Sequence, residues 1–209
     1  MSIKITGTGS YIPLLTKKNS DFLNTNFLNA DGTAFKVSNE VIIKKFKSIT
    51  GIEERRYAKD HHNTSDLAFF AAEKAIKDAE IDQETIDYII VAHNFGDIKH
   101  ETKQSDSLPS LASRVKFNLG IKNPNCVCYD IIFGCPGWIE GVIQAYAFIK
   151  AGMAKKCLVI GAETLSRTYD VKDRDSMIYA DGAGASIVES KNEIKNSGIL
   201  SHNLAHFPI

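Results

Sequence analysis

The sequence predicts an α/β fold built on a mostly parallel sheet with helices on both faces. Three observations carry this. Residues 87–93, 126–133 and 156–162 are short, nearly continuous apolar runs, the pattern of strands covered on both sides. Segments with helical apolar spacing lie between them, so the order is strand–helix–strand. Units of this kind form parallel sheets whose ligands gather outside the carboxyl ends of the strands.

The 209 residues are 44% hydrophobic, enough to build a full core of one large domain or a domain and a half. With 25 acidic and 25 basic residues the formal net charge is zero, so no basic surface points to nucleic acid. No apolar run approaches a membrane span. The opening residues alternate like a strand and lack a basic flank followed by an apolar block, so no signal peptide is expected. The four cysteines, Cys126, Cys128, Cys135 and Cys157, include no CxxC pair, and no histidine spacing suits zinc. Cys126 and Cys128 fall on one face of a strand, too near in sequence for a relaxed mutual disulfide. Reduced thiols in a cytoplasmic protein without a metal are the expectation.

The first strand is expected over 3–13, entering a loop at Gly7 and Gly9; GTGS is not followed by the rest of a dinucleotide fingerprint. Residues 17–39 are polar, with Phe22, Phe27 and Phe35 tacking down an irregular insertion. A short helix over 38–47, capped by Ser38 or Asn39, leads through the turn at Thr50 and Gly51 to a charged extended segment. Arg55 and Arg56 there belong to a solvated or salt-bridged face. Thr64 or Ser65 caps an alanine-rich helix suited to close packing on a sheet. After the strand at 87–93 comes a polar loop over 94–107. Pro109 then leads a helix that closes at Gly120. The strand at 156–162 is followed by a loop, the DGAGA segment and a strand at ASIVES. The last residues, GILSHNLAHF, begin one more strand.

The centre of the chain is 126–152. An apolar strand ends at Gly134, and Pro136 and Gly137 follow a single Cys135. Apolar residues then recur at Ile139, Val142, Tyr146 and Ile149 up to a stop at Gly152. Strand, tight turn and helix are expected, with Pro136 at the first helical position. A thiol at a helix N-terminus faces unpaired N–H groups and the positive dipole end, which favour the nucleophilic thiolate. The glycines leave room for a carbonyl substrate, and the same N–H groups suit its oxyanion. The residues also fit a cysteine that merely fills space at a strand end.

YDIIFGCPGWIEGVIQAYAFIKAG and KKCLVIGAETLSRTYDVKDRDSMIYADGAGASIV resemble a β-ketoacyl-acyl carrier protein synthase III of the thiolase superfamily. ITGTGSYIP, TGIEERRYA and LPSLASRVKFNLGIKN match in the same order. The resemblance implies a thiolase-like N-terminal half with a mostly parallel five-stranded sheet. It implies decarboxylative Claisen condensation: an acyl group moves from coenzyme A or a carrier protein to Cys135, and malonyl-acyl carrier protein then loses carbon dioxide and attacks the thioester. It gives Cys135 an oxyanion-hole N–H, and makes Gly182 and Gly184 structural residues behind the site, beside Gly134 and Gly137 in the nucleophile turn. It sets Arg174 near a coenzyme A adenine, and Leu108 on a loop that reaches a partner's acyl pocket. A homodimer joined through edge strands near 125–131 is implied, with no tightly bound cofactor.

Three departures qualify that picture. The family's catalytic His and Asn lie in a second half, so residues 1–190 are read as the nucleophile-bearing half-domain and 191–209 as the start of a truncated second one. His202 and His206 fall on that opening strand, His61, His62 and His100 in loops, and His93 at a strand end in a structural, hydrogen-bonded role. Condensation by this chain alone is therefore not expected. Lys45 and Ile49 stand where relatives that use coenzyme A primers carry Trp and Arg, which favours a carrier-borne or unusual primer. The 94–107 insertion leaves acyl-chain specificity open. Other chemistries on the same fold, as in hydroxymethylglutaryl-CoA synthase-like or acyltransferase relatives, and a non-catalytic pairing subunit are the alternatives.

Overall fold

The three apolar runs do form the middle of a sheet. The computed structural model describes residues 2–192 and 197–205. Strand β1 is Ser2–Tyr11, followed by β2 (Leu15–Lys18), helix α1 (Asn39–Thr50), β3 (Glu54–Tyr57) and α2 (Thr64–Asp78). Next come β4 (Tyr88–Ala92), the two-residue strands β5 (Asp97–Ile98) and β6 (Ser105–Asp106), α3 (Leu111–Leu119) and β7 (Val127–Ile131). Helix α4 (Gly137–Lys150), β8 (Lys156–Thr164) and β9 (Asp181–Lys191) complete the described elements. Five strands form one sheet in the order β1-β9-β8-β4-β7. β4 is parallel to both β7 and β8, whereas β9 runs antiparallel to β8 and β1. The expected mostly parallel sheet is thus present, with β9 as its one reversed strand.

Helices cover both faces, which explains why β4 and β8 read as continuous apolar runs. On one face, Ala68, Ala71, Ala72 and Ala75 of α2, with Leu111 and Val115 of α3, pack on Ile89, Val91, Leu158 and Ile160. On the other, Ala145 and Ile149 of α4 pack on Cys157, Val159 and Val188. A satellite core of Phe22, Phe27, Ile42 and Met177, with Phe35 and Phe46 against it, holds the insertion down as the phenylalanines implied.

Several boundaries shift for identifiable reasons. β1 passes straight through Gly7 and Gly9 instead of entering a loop there. A Cβ on Gly7 would stand 2.5 Å from the Ala75 carbonyl oxygen, and one on Gly9 2.5 Å from the Ala75 nitrogen. GTGS therefore lets α2 lie against β1; it is a packing motif. Asn63, not Thr64 or Ser65, caps α2, in a reciprocal capping box with Asp66. α1 runs on to Thr50 before Gly51, at φ 72°, ends it. Arg55 is buried, its guanidinium between the Phe22 and Phe46 rings and bonded to Asn19, so only Arg56 keeps the expected salt bridge, to Glu54. DGAGA is already inside β9. Residues 199–205 are irregular, not strand, so His202 has no strand setting, and His206 lies outside the described residues.

The seam of α4 also differs from the expected Ile139, Val142, Tyr146 and Ile149. Its buried line is Gly137, Gly141, Ala145 and Ile149, four positions spaced by four, while Ile139 is half exposed. Small residues win because the helix lies so near the sheet: a Cβ on Gly141 would come 2.7 Å from Val159 Cγ1. Apolar periodicity cannot register a contact made by absent side chains.

Candidate active site

β7 runs beside β4 and leaves the sheet at its carboxyl end. Gly134 then turns the chain at φ 72°, a conformation that strains any residue with a Cβ. Its carbonyl accepts the Gly137 N–H at 3.0 Å, and α4 starts at once. Pro136 is the cap residue, one place earlier than predicted, with its carbonyl accepting the Glu140 N–H at 3.0 Å. Cys135 is left exposed just before the first turn of α4, whereas Cys126 and Cys157 are buried. Burial pushes the Cys157 thiol up to about 12. The side-chain hydrogen bond with Cys126, then burial, keeps Cys128 protonated well above the ordinary thiol range.

Cys135 lines a cleft of about 300 Å³ at the carboxyl ends of β4 and β8, where they meet the start of β9. Gly134, Gly182 and Gly184 line it too, while Gly137 is buried behind, 3.0 Å from Ala92 at its would-be Cβ. A Cβ on Gly184 would meet nothing within 4 Å, so this glycine keeps the cleft open instead of letting backbone close in. That differs from the structural role expected of it.

His93 also lines the cleft, and both of its ring nitrogens are occupied. His93 Nδ1 accepts the Gly96 N–H at 3.0 Å, which leaves Nε2 to donate to Asp130 Oδ2 at 3.0 Å. The ring is a bracket between β4 and β7 and has no free nitrogen for proton transfer. Asn94 and Glu163, which the sequence reading left unassigned, also line the cleft. Glu163 Oε2 accepts both the Asn94 N–H (2.8 Å) and its Nδ2 (2.9 Å), and Asn94 Oδ1 accepts the Gly134 N–H (3.1 Å). Burial pushes the Glu163 carboxyl up, against the lowering effect of the Asn94 bonds. Their only sequence signal is position: each directly follows the apolar run of a strand.

Comparison with known proteins follows the same residues. The family model for 3-oxoacyl-[acyl-carrier-protein] synthase III matches residues 129–206, a span that includes Cys135. The β-ketoacyl-[acyl-carrier-protein] synthase III 1 of Vibrio cholerae serotype O1 is 40% identical over 205 residues, covering 98% of this chain and 57% of that protein. By sequence and by fold, the chain matches the N-terminal half of a β-ketoacyl-[acyl-carrier-protein] synthase III. The solved synthase III from Aquifex aeolicus superposes with a TM-score of 0.74 at 34% identity, over 92% of this chain and 55% of that one. The Thermus thermophilus synthase III gives 0.72 at 34%, over 91% and 52%. The chain therefore spans about half the length of the relatives it matches.

Two residues assigned from the synthase III resemblance stand outside the Cys135 cleft. Arg174 lies in a separate groove with Asp170, Lys172 and Asp173, its guanidinium 5.1 Å from the Phe35 ring centroid and its Nε 3.6 Å from Asp175. Leu108 is 84% exposed, so little of it is covered by the described residues. Among the described residues no His, Cys, Asp and Glu cluster could hold a metal. No helix among them is long and apolar enough to cross a membrane.

Proposed function

We propose that this chain carries the nucleophile half of a condensing acyltransferase that serves fatty-acid or related lipid or polyketide synthesis. The observation that carries the reading is the exposed Cys135, set between β7 and α4 on an open glycine-lined cleft within the span matched by the family model. The Cys135 thiolate attacks an acyl thioester, and coenzyme A or a carrier thiol leaves. Malonyl-acyl carrier protein then loses carbon dioxide, and its carbanion attacks the Cys135 thioester. The β-ketoacyl carrier protein forms as the thiolate departs. The N–H of Cys135 helps hold the oxyanion in both attacks.

His93, with both ring nitrogens hydrogen-bonded, is not the group that holds the enolate charge; the family resemblance assigns that task to a His and an Asn of a second half. Residues 1–190 form the nucleophile half-domain, with 191–209 opening the next. Arg174 on Phe35 offers one flat pair to an adenine, in place of the side chains replaced by Lys45 and Ile49. Leu108 reaches a partner's acyl pocket in a homodimer joined along β7, an edge of the sheet. The protein works in the cytoplasm with its four thiols reduced, and holds no tightly bound cofactor.

The test is intact-protein mass spectrometry of the full natural polypeptide that carries this chain. Acyl-thioester donors should add one acyl group at Cys135 and none in Cys135→Ser. Added malonyl-acyl carrier protein should then release a β-ketoacyl carrier protein and carbon dioxide. Acylation without carbon dioxide release points to simple acyl transfer, and no acylation at all to a pairing subunit.

A further inference from the structure

The Cys135 turn depends on neighbours outside it. A Cβ on Gly134 would have only Pro136 Cδ, at 3.9 Å, within reach, so packing does little to restrain the residue before the thiol. The turn is tied to the end of β4 by the Gly134 N–H bond to Asn94 Oδ1. An amide side chain can present either its oxygen or its nitrogen, and Glu163 decides which. Its Oε2 accepts from Asn94 Nδ2 and from the Asn94 backbone N–H, which leaves the Asn94 oxygen facing Gly134. Glu163 itself is anchored inside β8, opposite Gly182 of β9.

We propose that Glu163 is a positioning residue for the Cys135 nucleophile, acting through the orientation of Asn94. This rests on the acyl-enzyme reading above. The other carboxylate oxygen, Glu163 Oε1, is buried and has no hydrogen-bond partner. All of the carboxyl's hydrogen bonding among the described residues therefore runs through Oε2, the oxygen that aims Asn94. Burial raises the Glu163 pKa, against the lowering effect of its Asn94 bonds.

The experiment measures the alkylation rate of each cysteine in the full natural polypeptide at pH 7, by mass spectrometry of digested protein. Buried Cys157 is the internal control for folding. In Asn94→Ala and in Glu163→Leu, Cys135 should react slower on the order of tenfold while Cys157 stays protected. Glu163→Gln keeps an oxygen that accepts both Asn94 bonds and should recover most of the rate. A merely structural role would lower the thermal midpoint in Leu and Ala variants without slowing Cys135 relative to Cys157, and that result overturns the proposal. So does equal slowing in Glu163→Gln and Glu163→Leu. If Cys135 shows no preferential labelling in the wild type, the nucleophile reading falls and the positioning role falls with it.

Discussion

His93 Nε2 donates to Asp130 Oδ2 at 3.0 Å, and that carboxylate also caps a helix. Asp130 accepts the N–H of Leu111 at 2.7 Å and of Ala112 at 2.8 Å. One side chain on β7 thereby joins the end of β4 to the first turn of α3. Asp130→Ala removes three bonds and leaves a buried imidazole N–H without an acceptor. The expected cost is about 2–4 kcal/mol, read as a lower urea midpoint with an unchanged slope.

α4 is seated through its glycines. Gly141→Ala places a methyl 2.7 Å from Val159 Cγ1 and 3.5 Å from Ile90 Cγ2 on the two central strands. Lifting the helix to make room is expected to cost about 1–3 kcal/mol, more than the helix-propensity gain of roughly 1 kcal/mol. A thermal midpoint at or above the wild-type value would show that α4 has slack against the sheet.

Arg167 is 4% exposed and donates to the carbonyls of Lys59, Asp60, His62 and Ile98 and to Asn63 Oδ1. It fastens the loop ahead of α2 to β5. An ammonium cannot span that set, so Arg167→Lys should lose about 2 kcal/mol or more despite keeping the charge. Hydrogen exchange should rise first across residues 59–63.

Glu163 links stability to pH. Its folded-state pKa is raised above the ordinary 4.5, first by burial. Such a group contributes its full stability below the unfolded value and loses it as pH rises through the folded value. Glu163→Gln does not ionise. Relative to wild type it should gain stability as pH climbs from about 4.5 through the raised pKa, then hold a constant difference. Paired denaturant titrations from pH 4 to pH 8 check the sign; a variant-minus-wild-type stability that falls with rising pH refutes it.

Sequence alone determined the sheet, the strand–turn–helix unit and the place of Cys135. Unbroken apolar runs, a glycine at a forced turn and a proline beside a helix start are local signals, and local sterics act on them directly. The helix stop at Gly120 was legible for the same reason, since it sits at positive φ; Gly51 was legible as a turn, but not as the end of α1, which runs past the expected 47. Tertiary structure decided everything that depends on which element lies opposite. It turned Gly7, Gly9 and Gly141 into contact surfaces, buried Arg55 between two phenylalanines, and set Asn94 and Glu163 beside the Cys135 turn. Asn94 and Glu163 are 69 residues apart, and Asn94 and Gly134 are 40 apart. No periodicity spans such distances; only the parallel alignment of β4 with β7 and β8 brings their ends to one place.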